Sequence, residues 1–150
     1  MILISACLLG CACRYDGRSK AHPLAQELAR RGLAVPVCPE QLGGLPTPRA
    51  PSEQREDRVV SAAGADVTAQ YRRGAEEALR LAALYGCTTA VLKERSPSCG
   101  SGQIYDGTFS GTLTEGWGTA AALLRANGIR VLGESDLQGL LRELDGAGQA

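Results

Sequence analysis

Apolar residues fall along this chain in two kinds of run. Four are short and unbroken: Ile2-Leu3-Ile4, Leu33 to Val37, Thr89-Ala90-Val91-Leu92 and Ile129 to Leu132. Such runs, rich in β-branched residues, suit strands buried on both faces, as in a parallel sheet. Pro36 removes a ladder donor from the second run, which is therefore expected at an edge or a bulge. The other runs recur at helical spacing. From Asp66, read as an N-cap, to Tyr85, the residues Val67, Tyr71, Ala75, Ala78, Leu79, Ala82 and Tyr85 share one face, with Arg72, Arg73, Glu76, Glu77 and Arg80 largely elsewhere. Pro23 to Arg31 opens on proline, ends on basic residues and is followed by Gly32, with His22 in a capping or solvated role. Thr119 to Ala126 stops at Asn127-Gly128, and Ser135 with Gln138 reads as a capping box for a last helix turned inward through Leu137, Leu140, Leu141 and Leu144.

Strands alternating with helices predict an α/β fold: an open, mostly parallel, Rossmann-like sheet with helices on both faces, in one domain over residues 1–150. Ligands of such sheets gather at the carboxyl ends of the strands. Two stretches escape the pattern. Gly43 to Pro51 holds three prolines and two glycines around Arg49, and a loop of that length is usually functional. Gln103 to Gly111 carries Asp106-Gly107 between β-prone residues, the sign of a hairpin that could cover the site as a flap. Gly116-Trp117-Gly118 could hold an anion on its amides or simply allow close packing.

Composition narrows the partner. Sixteen basic and sixteen acidic residues cancel and are scattered, which argues against nucleic acid and charged membrane surfaces and favours a small neutral molecule. No apolar run approaches the roughly 20 residues that span a bilayer. Met1 to Gly10 lacks the basic start of a signal peptide, so the six cysteines are expected in a reducing cytoplasmic setting, as thiols serving a metal or catalysis. Cys7, Cys38 and Cys99 each follow a predicted strand at its carboxyl end, whereas Cys87 precedes one and is expected to be structural. Cys99 also lies in a turn of restricted shape, between Pro97 and Gly100. Three thiols suit a catalytic zinc or a cubane cluster with one metal position open; with Cys11 or Cys13 as a fourth, the site closes into a zinc or iron–sulfur module without catalysis. Spacing does not choose among these.

Ser5 to Gly10, Arg14-Tyr15-Asp16-Gly17, Cys38-Pro39-Glu40, Gly43-Gly44-Leu45, Pro48-Arg49, Asp66-Val67-Thr68, Leu92-Lys93-Glu94, Ser96 to Gly100 and Ile104 to Gly107 together resemble, in this order, the bacterial family known as domain of unknown function 523, which includes the thiouracil desulfidases. The resemblance implies a [4Fe-4S] cluster on Cys7, Cys38 and Cys99, with the fourth iron free for the sulfur of a thiolated pyrimidine. It implies Glu40 as acid/base, Ser96 beside it in catalysis, and Ser98, Asp16 and Arg49 on the substrate side. The residues themselves also allow Glu40 to cap a helix or pair with Arg49, and Ser96 and Ser98 to stabilise their own turn.

Overall fold

The structure is a computed structural model and describes residues 1–148. The first half of the chain runs β1 (Ile2–Ser5), a 3-10 turn (Ala6–Leu9), α1 (Pro23–Arg30), β2 (Ala34–Val37), α2 (Pro39–Leu42), β3 (Ser52–Arg55), β4 (Arg58–Ser61) and α3 (Thr68–Leu84). The second half runs β5 (Thr89–Leu92), β6 (Ser101–Tyr105), β7 (Leu113–Trp117), α4 (Thr119–Ala126), β8 (Arg130–Gly133), a 3-10 turn (Glu134–Asp136) and α5 (Leu137–Gly148).

The four apolar runs pair in parallel in the order β2-β1-β5-β8, which puts Pro36 on an edge strand as expected. The central strands β1 and β5 are buried from both sides, and their alternation sorts the core into two layers. Ile2, Ile4 and Val91 pack with Leu28 of α1 and Leu137, Leu140 and Leu141 of α5. Leu3, Ala90 and Leu92 pack with Ala78 and Ala82 of α3 and Ala121 and Leu124 of α4. Leu3, with no exposed surface, touches the second layer from a central strand; its truncation to alanine is of the class that costs about 2–5 kcal/mol. The chain leaves β1 for β2 on one side and later enters β5 on the other, so the order reverses between β1 and β5 and a crevice opens there.

Several boundaries differ from the sequence pattern. The returning strand of the second hairpin is β7, so Asp106-Gly107 begins a seven-residue loop instead of making a two-residue turn. Asp106 Oδ1 accepts the Thr108 amide at 3.0 Å and so shapes the loop's entry. β3 and β4 form an antiparallel hairpin that the sequence does not announce, because Ser52-Glu53-Gln54-Arg55 shows no apolar alternation. Val67, not Asp66, occupies the cap position of α3, although Asp66 Oδ1 accepts the Thr68 amide at 3.0 Å. Tyr85 lies past the last helical turn and is exposed, off the inward face. At the entrance to α5 it is Asp136 that accepts the Gly133 amide, at 2.9 Å, while the Ser135 hydroxyl is turned to Glu94. His22 caps α1 through Nδ1, which accepts the Leu24 amide at 3.2 Å.

One crossing sets the site. Gly43 follows α2 and Gly74 lies inside α3; a Cβ on Gly43 would collide with the Gln70 carbonyl, and one on Gly74 with the Pro39 carbonyl. The two backbones therefore touch. A glycine inside a helix costs about 1 kcal/mol relative to alanine, and here that cost accompanies the close approach.

Candidate active site

At the carboxyl ends of β1, β2 and β5 lies a cavity of about 670 Å³ whose wall includes Cys7, Cys13, Cys38, Cys99, Glu40, Ser96 and Ser98. A second cavity, about 440 Å³ beside the start of α3, is lined by Asp57, Arg58, Asp66, Thr68, Ala69 and Arg72. None of those residues is a thiol, and Arg58 pairs with Asp66 at 3.6 Å.

Each cysteine is placed by a short local structure. Cys7 sits in the 3-10 turn after β1, and its carbonyl accepts the Lys20 amide at 2.9 Å. Cys38 is the cap residue of α2. Cys99 is held by a turn in which Ser96 Oγ accepts the amides of Ser98 and Cys99, both at 3.1 Å, and Ser96 O accepts that of Gly100 at 2.8 Å. Gly100 has no room for a side chain: a Cβ would lie 2.8 Å from the carbonyl oxygens of Ser96 and Gln103. The first amides of α4 hold this turn from behind, Thr119 N donating to Pro97 O at 2.9 Å and Ala120 N to Ser98 O at 2.8 Å. Gly118 donates its amide to Gly100 O at 2.8 Å, and a Cβ there would collide with the Ser98 and Cys99 backbone, so this glycine serves close packing.

The Cys99 sulfur faces two hydroxyls, Ser5 Oγ at 3.6 Å and Ser98 Oγ at 3.5 Å. Burial is the main reason its pKa rises to about 11, against the pull of those two hydroxyls. Cys13 and Cys11, indistinguishable by spacing, are separated by the fold: Cys11 is exposed, and Cys13 is buried beside the thiols of Cys7 and Cys38. A hydrogen bond with Cys38 lowers the Cys13 pKa, but the Cys7 thiol and burial outweigh it, giving about 11. The Cys38 thiol is raised by its bond to Cys13 and by burial. Cys87 lies at the other end of the sheet among Ala78, Ala82 and Leu124, away from this cavity.

Glu40, in the first turn of α2, is the most constrained side chain of the site. Its Oε1 accepts from Arg49 Nε at 3.1 Å and Tyr71 Oη at 2.9 Å, and its Oε2 accepts from Ser98 Oγ at 2.8 Å. The Ser96 hydroxyl lies 3.0 Å from that of Ser98. Having accepted two amides, Ser96 has its own hydrogen free for Ser98, which passes its hydrogen to Glu40. A carboxylate has about four lone-pair sites, and these three donors leave one on Oε2. Tyr71 is 1% exposed, and burial, then the Glu40 charge, raise its phenol well above the ordinary value.

Arg49 does pair with Glu40, and its guanidinium is otherwise engaged. Nη1 donates to Pro46 O at 3.1 Å and Thr47 Oγ1 at 3.0 Å, and Nη2 to Cys13 O at 2.9 Å. It lines the cavity yet reads as the tie between the proline-rich loop, the Cys13 loop and Glu40. Asp16 is not brought to the cavity: it is exposed, and its carboxylate accepts the Arg18 amide at 3.0 Å, while its neighbours Arg14 and Tyr15 line the wall. Sequence reasoning missed Tyr71, read only as core, and Lys93, which lines the cavity and pairs with Glu134 at 2.8 Å. Lys93 is signalled by its place one residue past a predicted strand and by the Leu92-Lys93-Glu94 motif, neither of which assigns it a role.

Soft thiol donors suit an iron–sulfur group. Those of Cys7, Cys38 and Cys99 reach the wall of one cavity from three separate strand ends, with Cys13 on the same wall.

Comparison with known proteins gives one consistent picture. The family described as 2-thiouracil desulfurase matches residues 2–136. A Bacillus subtilis (strain 168) protein, uncharacterized protein YbbK, is 45% identical over 151 residues, spanning 94% of this chain and 100% of the relative. Among solved structures, the [4Fe-4S]-dependent thiouracil desulfidase TudS (DUF523Vcz) superposes with a TM-score of 0.90 at 49% identity, over 96% of this chain and 97% of its own.

Proposed function

The chain belongs to the 2-thiouracil desulfurase family, and from that premise we propose that it is an iron–sulfur dependent enzyme of the cytoplasm. It removes sulfur from a thiolated pyrimidine such as 4-thiouracil, giving uracil and hydrosulfide. The observation that carries the reading is the carboxylate of Glu40, oriented from three directions, in the same cavity as the thiols of Cys7, Cys38 and Cys99. TudS, similar over nearly the whole chain, is named for this cofactor and activity. The small-molecule partner agrees with a chain in which, among the described residues, no helix is long and apolar enough to cross a membrane.

Cys7, Cys38 and Cys99 would hold the cluster, which when bound would supply Lewis acidity toward a thiocarbonyl. The chain's own residues do the rest. Tyr71 and Arg49 fix Oε1 of Glu40, so that Oε2 is the oxygen presented to a water molecule. As that water adds to the thiocarbonyl carbon, Glu40 takes one of its protons. The adduct then collapses to C=O as the C–S bond breaks, the second water proton passes to sulfur, and hydrosulfide leaves with no net electron transfer. Ser98 donates to Glu40 and is supplied in turn by Ser96, an arrangement that steadies the carboxylate and lets its hydrogen bonds adjust as charge changes. The experiment is anaerobic reconstitution with iron, sulfide and zinc analysis, followed by release of sulfide and uracil from 4-thiouracil. The expected result is about four irons per chain and turnover; zinc in their place, or a loaded protein without turnover, would refute it.

A further inference from the structure

Resting on the desulfidase reading, we propose that Phe109, with Tyr105 of the same hairpin, forms the wall on which the pyrimidine ring stacks, and is thereby a specificity-determining residue for planar heterocyclic thiones. The chain has six aromatic residues, one Phe, one Trp and four Tyr. Four of them, Tyr15, Tyr71, Tyr105 and Phe109, line the one cavity that holds the thiols. Tyr71 is committed to Glu40 through its hydroxyl. Tyr15 follows Cys13 in the loop after β1, whereas Tyr105 and Phe109 come from the β6–β7 hairpin, which carries no cysteine.

Phe109 is held in place with unusual care for a residue at a hairpin tip. Its φ of 55° lies in the left-handed region that bulky side chains rarely occupy. Glu53 Oε1 accepts both the Phe109 amide, at 3.2 Å, and the Gly107 amide, at 2.9 Å. Arg55 Nε donates to Gly107 O at 2.7 Å, and its guanidinium lies 5.7 Å from the Phe109 ring centroid. β3, polar and without an apolar pattern of its own, thus braces the β6–β7 hairpin, and Phe109 is presented to the cavity as a pre-set surface. An apolar ring half-buried at the wall of a site that also carries hydroxyls, thiols and a carboxylate gives little to a small polar substrate and much to an aromatic one, because any pyrimidine offers a π face.

The test separates stacking from the chemistry by using uracil and 5,6-dihydrouracil, which share their amide groups but differ in planarity. Ligand-observed NMR on the metal-free protein should show uracil bound about tenfold tighter than dihydrouracil, a preference that Phe109→Ala removes and Phe109→Leu partly keeps, with thermal midpoints near wild type. On the cluster-loaded protein Phe109→Ala should raise KM for 4-thiouracil by a similar factor with kcat little changed. Equal wild-type affinity for the two bases, no uracil binding at all, or unchanged uracil affinity in Phe109→Ala would overturn the proposal. Failure of the wild type to release sulfide from 4-thiouracil would instead overturn the desulfidase reading, and the uracil titration would still decide the role of Phe109.

Discussion

The two ends of β5 each present a cysteine, and the pair is instructive because burial does not tell them apart. Cys87, before the strand, is 6% exposed, and Cys99, beyond it, 4%. Burial raises both thiols. Their company differs. Both belong to the apolar layer that includes Ala78, Ala82 and Leu124, but the Cys99 sulfur also meets the hydroxyls of Ser5 and Ser98, the second of which donates onward to Glu40. A buried thiol is structural or functional according to the polar groups built around it, and in a parallel sheet those groups collect at the carboxyl end.

The sharpest way to break this contrast is to exchange sulfur for oxygen at both ends. Cys99→Ser should abolish iron binding after anaerobic reconstitution, as should Cys7→Ser and Cys38→Ser, because a hydroxyl is a poor donor to iron–sulfur clusters. Cys87→Ser should keep its full iron content and show only a loss of stability of about 1–3 kcal/mol on denaturant unfolding, the cost of a hydroxyl in an apolar layer. Iron retained by Cys99→Ser would end the assignment.

Next in size is Glu40→Gln, which keeps the shape of the polar end but removes the base: turnover of 4-thiouracil should fall by roughly 10²–10⁴-fold with iron content unchanged. Full activity would take Glu40 out of the mechanism. Tyr71→Phe is subtler, since it deletes one donor to Oε1 and leaves Arg49 in place. We expect kcat to fall about tenfold, the effect of about 1.4 kcal/mol lost from a hydrogen bond to a charged group, with KM and iron unchanged. Wild-type kcat would make Tyr71 a packing residue after all. The smallest effect is expected at Cys13→Ser, where iron should stay at the wild-type level; its loss would mean a closed four-thiol site and no open position for substrate.

The sheet was legible because strands covered on both faces must be continuously apolar, as Ile2 to Ile4 and Thr89 to Leu92 are. The convergence of Cys7, Cys38 and Cys99 followed from their places after those strands. What stayed hidden depends on partners from elsewhere in the chain. Tyr71 sits at a helical core position, and periodicity says only that it points inward, not that its hydroxyl meets Glu40 31 residues away. β3 is polar because Glu53 and Gln54 bond the neighbouring hairpin and the Cys99 turn, Gln54 Nε2 donating to Pro97 O at 2.9 Å, so the strand lacks the alternation that would announce it. Asp16 shows the converse error: a motif neighbour of a wall residue can be a solvent-facing turn former.

The contact between Gly43 and Gly74 has a bearing on how such a site can be altered. Because main chain meets main chain there, the separation between Glu40 and Tyr71 belongs to the backbone and not to any adjustable rotamer. Widening the cavity from that side would require moving a whole helix and would displace the carboxylate with it. Tyr15 and Phe109, by contrast, line the cavity with side chains that can be trimmed one at a time, so they are the places where a protein engineer can enlarge it without moving the helices that hold Glu40 and Tyr71.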